Sequence, residues 1–254
     1  MIAVGKVNIG KRRTRNEDSV LVSNEPIGVL PNLYIVADGM GGHKAGAVAS
    51  KLAIDAFCNY IEEHENAQIK TEEELLILLK RGISHANYVI YKKGLENPDF
   101  TGMGTTITLC TVMNGTAYIA HVGDTRLYCM NANQMRQVTV DHSLVQEMLE
   151  QGYITETDMQ EHPQRHVITR AVGTYEQVKV DTMKQCLNGV EYILLCSDGL
   201  TAMLSEEKMH ELVYKHHTNL ETIIDELILQ ANEAGGADNI AVIIGKKDEV
   251  SKTC

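Results

Sequence analysis

Apolar residues follow two spacings along this chain, and each spacing predicts a different kind of element. Short apolar runs rich in β-branched residues, each bounded by Gly, Asn or Asp, are typical of β-strands. They occur at residues 33–37, 105–112, 116–122, 191–196 and 239–244. Asn114 and Gly115 lie between the second run and the third, and such a pair supplies the positive φ angles that a tight turn needs. We therefore expect these two strands to form an antiparallel hairpin.

Other segments repeat their apolar residues at the spacing of an α-helix. One such stripe runs through residues 49–61 and must bury one face of a helix. A second helix begins at a capping box whose first residue is Thr71. Ser205 caps a third helix, and a fourth opens at residues 218–221 and ends at the glycine pair 235–236. Two pairs of helices are therefore predicted.

The order of these elements indicates the fold class. Strands and helices do not alternate strictly, which disfavours a doubly wound parallel sheet and favours antiparallel strands covered by helix pairs, an α+β layered fold. No repeat or flexible linker interrupts the chain, so we expect a single domain over residues 1–254. Residues 141–173 contain one short capped helix over 143–151 and otherwise a poor apolar stripe, so we expect them to form a mobile functional flap.

The amino-acid composition limits which partners and which cellular compartment we expect for this protein. The 254 residues include 34 Asp and Glu against 23 Lys and Arg, a formal net charge of -11. Such a charge repels nucleic acid and anionic membranes, so we expect no nucleic-acid partner and no membrane insertion. The chain shows no signal-peptide pattern and no apolar stretch long enough to span a bilayer, and its six cysteines form no C-x-x-C pair. These features predict a cytoplasmic protein with reduced cysteines.

The candidate chemistry lies in aspartates that flank predicted strands. They are Asp18, Asp38, Asp124, Asp198 and Asp238. Any one of them alone is explained by turn chemistry, because Asp-Gly and Asp-Asn are common at strand ends. Strand ends of one sheet can converge, however, and carboxylates brought together repel one another unless cations neutralise them. An all-oxygen ligand set would favour Mg²⁺ or Mn²⁺ over zinc or copper.

Glycines around one of these aspartates support a cation site. Three of the four residues after Asp38 are glycine, and they leave the backbone free to approach an ion closely. The carbonyl oxygen of Gly39 is the candidate backbone ligand. Neither a P-loop nor a G-x-G-x-x-G turn occurs here, so the usual signatures of nucleotide binding are missing.

Six motifs in order give the chain a strong resemblance to a known family. They are GKRRTRNED at 10–18, ADGMGGH at 37–43, GTT at 104–106, VGDTR at 122–126, CSDGL at 196–200 and ADN at 237–239. The chain resembles the type 2C (PPM) metal-dependent serine/threonine protein phosphatases, of the bacterial single-domain type. The resemblance implies an α-β-β-α sandwich, two antiparallel sheets flanked by helix pairs. It also implies hydrolysis of phosphoserine and phosphothreonine by a hydroxide that bridges two divalent metals.

The resemblance assigns metal-ligating roles to individual residues. Asp38 would bridge two metals, and the Gly39 carbonyl would complete the first site. Asp198 and Asp238 would hold the second metal. Asp124, with Asp198, matches a third and weaker site found in bacterial relatives. The implied cofactors are thus Mn²⁺ or Mg²⁺, two core ions and a third.

The same resemblance implies roles for further residues. Asp18 and Glu17 would act mainly through metal-bound waters, and Arg13 falls where the family places its phosphate-binding arginine. The alternative for Arg13 is a solvated member of a basic cluster. Many eukaryotic relatives have a histidine where this chain has Met40, so His43 is the available candidate for the general acid, and its alternative is an exposed or structural histidine.

The leading hypothesis is therefore a metal-dependent protein phosphatase. Its implied partners are phosphorylated proteins and a cognate serine/threonine kinase that it opposes. Two rivals are a pseudophosphatase or phosphopeptide-binding module, and a protein whose cation only stabilises the fold. The first rival should lack a metal aspartate, and here every one is present.

Overall fold

The computed structural model describes residues 1–41, 45–216 and 219–247. Its strands are β1 (Ile2–Asn8), β2 (Asp18–Ser23), β3 (Leu33–Met40), β4 (Gly104–Thr105), β5 (Ile107–Met113), β6 (Thr116–Val122), β7 (Arg126–Asn131), β8 (Gln134–Gln137), β9 (Asp181–Cys186), β10 (Tyr192–Cys196) and β11 (Ile240–Lys246). Its helices are α1 (Ala45–Glu63), α2 (Glu72–Glu96), α3 (Leu144–Glu150), α4 (Glu156–Glu161), α5 (Asp198–Thr201), α6 (Glu206–Lys215) and α7 (Leu220–Glu233).

The strands form two antiparallel sheets. Sheet I has the order β1-β11-β10-β7-β8, and sheet II has the order β2-β3-β5-β6-β9 with β4 paired to β3. Neighbouring strands run antiparallel in both sheets. The predicted hairpin is β5 and β6, and Asn114 and Gly115 between them have φ angles of 51° and 77°. Both positive φ angles match the expected turn, so the hairpin is confirmed.

Three apolar cores hold the sheets and helices in layers. The middle core lies between the sheets and joins Tyr34 and Val36 of sheet II to Leu195 and Ile243 of sheet I. A second core lies between sheet II and the helices α1 and α2. The third lies between sheet I and the helices α6 and α7. The layers therefore run helices, sheet, sheet, helices, which confirms the α-β-β-α sandwich.

The predicted helix ends agree with the structure where it describes them. Thr71 forms the capping box of α2, and the Ser205 side chain accepts a backbone hydrogen bond of 3.3 Å at the start of α6. Asn219 caps α7, while Thr218, at the predicted opening of this helix, lies outside the described residues. Beyond α7, Gly236 has a φ of 53°, as expected of a glycine that ends a helix.

Several elements of the structure are absent from the prediction. Strands β8 and β9 are edge strands with mainly polar residues, and α5 is a single turn of four residues. Strands β1 and β7 and helix α4 are likewise absent from the prediction. The predicted strand 105–112 is divided at Thr106, because this residue makes its hydrogen bonds with Asp38.

Residues 141–173 contain α3 and α4. Ser143 caps α3 as predicted, with its hydroxyl accepting from the backbone at 3.3 Å. Isolated bridges between Ser143 and Ile168, and between Thr105 and Val172, tie both ends of the segment down. That this segment acts as a mobile flap stays a prediction.

The cysteines differ from expectation at one position. Cys58, Cys110, Cys129 and Cys196 are free thiols, as expected. Cys186 is disulfide-bonded, so the expectation of reduced cysteines is wrong there. Cys186 lies exposed on an edge strand rather than in an apolar interior, which makes its thiol accessible for pairing.

Across the described ranges, no helix combines the length and apolar character needed to cross a bilayer.

Candidate active site

The candidate site begins where β2 and β3 bring two carboxyl groups together. Asp18 and Asp38 are directly opposite in the register of this antiparallel pair, so their side chains share one face of sheet II. The Asp38 carboxyl contacts that of Asp18 by a hydrogen bond. The Asp38 backbone is held by Thr106, whose hydroxyl accepts from the Asp38 N–H at 3.0 Å and whose N–H donates to the Asp38 carbonyl at 2.8 Å.

Sheet I contributes a third carboxyl group at the end of β10. Asp198 is the first residue of α5, and its carboxyl is hydrogen-bonded to that of Asp38. The preceding residue, Ser197, joins the two sheets. Its hydroxyl donates to an Asp18 carboxylate oxygen at 2.7 Å and accepts from the backbone N–H of Ala241 on β11 at 2.9 Å. One buried hydroxyl thus fixes strand ends from both sheets against each other.

Asp238 is positioned by the loop before β11. One of its oxygens accepts from the backbone N–H of Asn239 at 2.7 Å. The Asn239 amide in turn accepts from the Glu17 N–H at 2.8 Å and donates to the Arg15 carbonyl at 2.8 Å. Asn239 therefore ties the Asp238 loop to the segment that leads into Asp18.

Two glycines permit this close approach of backbones. At Gly39 an added Cβ atom would overlap the carbonyl oxygen of Gly46 on α1, and at Gly199 it would overlap the carbonyl oxygen of Asn239. Both obstacles are main-chain atoms, which cannot rotate away as a side chain could. Glycine is therefore required at these positions for packing rather than for an unusual φ angle.

Asp124 approaches the cluster from the end of β6 and lies near Asp198. The preceding residue, Gly123, donates its N–H to Nδ1 of His142 at 3.0 Å and accepts the His142 N–H at 2.7 Å. Nε2 of His142 then donates to Asp181 at 2.9 Å. The first residues of the predicted flap are thus bonded to the loop that carries Asp124.

Burial and mutual repulsion raise the pKa values of Asp18, Asp38, Asp124 and Asp198. Burial is the largest cause for each group, followed by the charge of neighbouring aspartates for Asp38 and Asp124. The pKa of Asp18 rises to about 7 and that of Asp124 to about 8. The pKa of Asp38 is raised well above its ordinary value, and that of Asp198 is also raised.

The donor set of this acid cluster fits hard divalent cations. Its members are carboxylate oxygens and the neighbouring Gly39 carbonyl, the ligand type that Mg²⁺ and Mn²⁺ prefer. Within residues 1–41, 45–216 and 219–247, no three acidic, histidine or cysteine side chains are already spaced as a metal cage. The carboxyl group of Asp38 instead hydrogen-bonds to those of Asp18 and Asp198. Buried carboxylates in contact need either protons or cations, and at neutral pH cations are the stronger compensation.

Arg13 lies at the edge of the acid cluster. Its guanidinium donates to Asp238 at 2.7 Å, and this hydrogen bond raises the pKa of Arg13. The Arg13 side chain is 51% exposed, so its other N–H groups can reach a ligand from solvent. That Arg13 binds phosphate stays a prediction.

The described residues thus bring together the predicted aspartates, Gly39 and Arg13. His43, the candidate general acid, lies outside the described residues. Sequence reasoning did not identify Ser197, Asn239 or His142, which position the acidic residues. Ser197 and Asn239 do lie inside the motifs CSDGL and ADN, directly beside an aspartate, which was the available signal.

The fold and the acid cluster define the class of protein. The chain belongs to the protein phosphatase 2C family, whose family model matches residues 7–235. It is accordingly a phosphoprotein phosphatase, a hydrolase of phosphate monoesters.

Individual relatives are similar over almost the whole chain. The serine/threonine phosphatase stp of Listeria welshimeri is 37% identical, with 99% of this chain and 98% of that protein covered. The protein phosphatase PhpP of Streptococcus pneumoniae is 33% identical, with 95% and 96% covered. The crystal structure of serine/threonine phosphatase Stp1 from Staphylococcus aureus superposes with a TM-score of 0.88 at 33% identity, with 97% and 94% covered.

Proposed function

We propose that the protein removes phosphate from phosphoserine and phosphothreonine in proteins by attack of a metal-activated water. The single observation that carries this is the meeting of carboxyl groups from both sheets at one edge of the sandwich, with Arg13 beside them. The names of the relatives support serine and threonine as the phosphorylated residues. By analogy with the family, the protein would oppose a serine/threonine kinase.

The family resemblance assigns the residues of the acid cluster that would hold the ions. Asp38 would contact two ions, the Gly39 carbonyl one of them, and Asp198 and Asp238 the other, while Asp124 with Asp198 would offer a third position. Asp18 would act through water. When bound, a pair of divalent ions supplies a water of lowered pKa and neutralises charge on the phosphate.

The protein's own groups would orient the substrate. Arg13 holds one N–H on Asp238, and a guanidinium can donate from its remaining N–H groups to two phosphate oxygens. Because Asp238 fixes the guanidinium, the arginine is oriented before a phosphate arrives. Buried Ser197 and Asn239 keep the two aspartate-bearing loops from moving apart.

The test measures hydrolysis of p-nitrophenyl phosphate and of a phosphothreonine peptide with Mn²⁺ and with a chelator. Activity should require the metal, and Asp38→Asn and Asp198→Asn should each lower kcat at least about 100-fold, because metal activation supplies several kcal/mol. Asp99→Asn, at an exposed position on the turn after α2, is the matched control and should stay active.

Two results would contradict the proposal. Activity that is equal in chelator and in Mn²⁺ would exclude the metal mechanism. Phosphopeptide binding without hydrolysis at any metal concentration would instead identify a binding module.

A further inference from the structure

A groove of about 570 Å³ lies beside the acid cluster, between α1 and the segment before β2. Its size is that of a site for a small ligand or a short stretch of peptide. Arg15 and Asn16 form the wall nearest the cluster. The roles assigned so far to the acid cluster and Arg13 make no use of this groove.

The floor of the groove is one apolar face of α1. Ala47, Val48 and Leu52 line it, with Lys51 and Asp55 on the same side of the helix. The five lining residues of α1 lie zero, one, four, five and eight positions after Ala47. Residues at these spacings fall on a single helix face, so the five form a continuous surface. The three apolar residues are only partly buried, which leaves apolar area for a partner.

The rim of the groove is cationic although the whole chain is acidic. The net charge of the chain is -11, yet Arg15, Lys51 and Lys93 surround the groove against a single acidic residue, Asp55. Lys51 and Lys93 are exposed, and in the described part of the chain neither forms an ion pair with a carboxylate. Lys93 instead lies over the Phe100 ring at 5.6 Å.

Short connections join the groove to the acid cluster. The Asn16 side chain accepts from the Asp18 N–H at 3.1 Å, and the Arg15 carbonyl accepts from Asn239 at 2.8 Å. Behind the groove floor, the buried Ser50 of α1 donates to the Glu17 carbonyl at 2.5 Å. Arg15 and Asn16 stand only three and two residues before Asp18, so the groove wall adjoins the cluster and lies within reach of residues that flank a phosphorylated residue bound there.

We propose that this groove binds the part of a phosphoprotein substrate next to the phosphorylated residue and selects segments that carry Asp or Glu beside an apolar side chain. Lys51 and Lys93 would pair with the acidic side chains, and the α1 face would cover the apolar one. This inference rests on the proposed phosphatase function and adds a substrate class to it.

The first test compares three phosphothreonine peptides that differ only in the residues flanking the phosphothreonine, which are Glu, Gln or Lys, with one Leu kept in all three. The Glu peptide should have a kcat/KM roughly tenfold above the Gln peptide, the effect of two exposed ion pairs, and the Lys peptide should be the poorest. The preference should shrink in high salt, because exposed charges are screened.

The second test reverses the charge of the rim. In the double variant Lys51→Glu and Lys93→Glu, the ratio of peptide kcat/KM to that of p-nitrophenyl phosphate should fall for the Glu peptide and rise for the Lys peptide. The small aryl phosphate carries no flanking residues for the groove to bind, so the ratio corrects for general damage to the enzyme. Lys80→Glu, also exposed on α2 but about 20 Å from Lys93 along the helix, should leave the order of the peptides unchanged.

The outcomes separate this inference from the function on which it rests. If p-nitrophenyl phosphate is not hydrolysed with Mn²⁺, the proposed function is wrong and the groove has no substrate to select. If that hydrolysis is normal but the three peptides react equally, or the double variant keeps the wild-type order of peptides, the groove proposal is overturned while the phosphatase stands.

Discussion

Arg13, the proposed phosphate-binding residue, already pairs with a carboxylate of the acid cluster. The pair is partly exposed, with 51% of the Arg13 side chain and 33% of that of Asp238 accessible to solvent. Exposed ion pairs contribute little to stability, about 0–1 kcal/mol. The contact therefore serves to orient the guanidinium more than to hold the fold together.

Replacement of Arg13 should consequently affect substrate binding more than folding. We expect Arg13→Ala to lower kcat/KM for a phosphopeptide about 10- to 100-fold, mainly through KM, since charged hydrogen bonds contribute about 1.5–3 kcal/mol. Arg13→Lys should recover part of the loss, because an ammonium keeps the charge but not the planar two-point contact.

The control for this experiment is Arg12→Ala. Arg12 is the exposed neighbour of Arg13, and its backbone N–H is bonded to the Gly236 carbonyl, so the loop should keep its path. Steady-state kinetics and the thermal unfolding midpoint of both variants distinguish a loss of substrate binding from a loss of stability. An unchanged KM in Arg13→Ala would show that the arginine is only a surface residue.

At the residue scale, sequence reasoning reached the acidic residues but not the residues that position them. Asp38 and Asp198 follow apolar strand-like runs, and this local pattern is visible in the sequence. The importance of Asn239 lies in hydrogen bonds to Glu17 and to Ile9, more than 220 positions away in the chain. Such contacts exist only after the sheets have paired, so no local pattern reports them.

At the scale of elements, the ends of β10, β11 and β2 are joined by one side chain. Ser197→Ala would remove the hydroxyl that accepts from Ala241 and donates to Asp18. A buried N–H left without a partner costs about 1–3 kcal/mol, so we expect a loss of stability in that range. We also expect the Mn²⁺ concentration for half-maximal activity to rise, because Asp18 loses a fixed neighbour.

A second serine-to-alanine variant separates the two effects. Ser205→Ala removes the cap of α6 and should cost about 1 kcal/mol of stability without changing the Mn²⁺ requirement. Urea unfolding and metal titration of activity measure the two quantities. If both variants change the Mn²⁺ requirement equally, the effect at Ser197 is one of stability alone.

Among the strands that sequence reasoning missed, β8 and β9 share a physical character. Its strand predictions rest on apolar runs, and β3, β6 and β10 have them because both faces of these strands are covered. β8 and β9 are edge strands with one side in solvent, so polar residues alternate through them and the signal is lost.

At the scale of the whole molecule, stability without metal should depend on pH through the buried aspartates. The pKa of Asp18 is raised to about 7 and that of Asp124 to about 8 in the folded protein. A folded-state pKa above the unfolded one, about 4, means that the folded chain binds the proton more tightly. This contribution to stability is therefore present below a pH of about 4 and is lost as the pH rises to about 8.

Thermal unfolding in chelator and in Mn²⁺ tests this dependence. In chelator the unfolding midpoint should fall as the pH is raised from about 5 to about 8, with the unfolded state binding fewer protons. Mn²⁺ at about 100 times its dissociation constant should raise the midpoint by about 5–10 °C at the upper end of this range. The increase should be smaller near pH 5, because protons compete with the ion.

Asp18→Asn, which cannot ionise, is the matched variant for the pH series. It should flatten the fall of the midpoint between about pH 4 and about pH 7, the window set by the ordinary and raised pKa values of this group. A midpoint in chelator that rises with pH in the wild-type protein would contradict the assignment of raised pKa values.

The acid cluster draws Asp18 and Asp38 from one sheet and Asp198 and Asp238 from the other, and these pairs lie in opposite halves of the polypeptide. Neither half could therefore be a working fragment by itself. Two inactive pieces, produced by cleavage at the turn between β5 and β6, would recover turnover only by re-forming the β5–β6 and β1–β11 pairings together with the middle core. This makes the enzyme suited to a complementation assay in which colour development reports that two attached proteins have met.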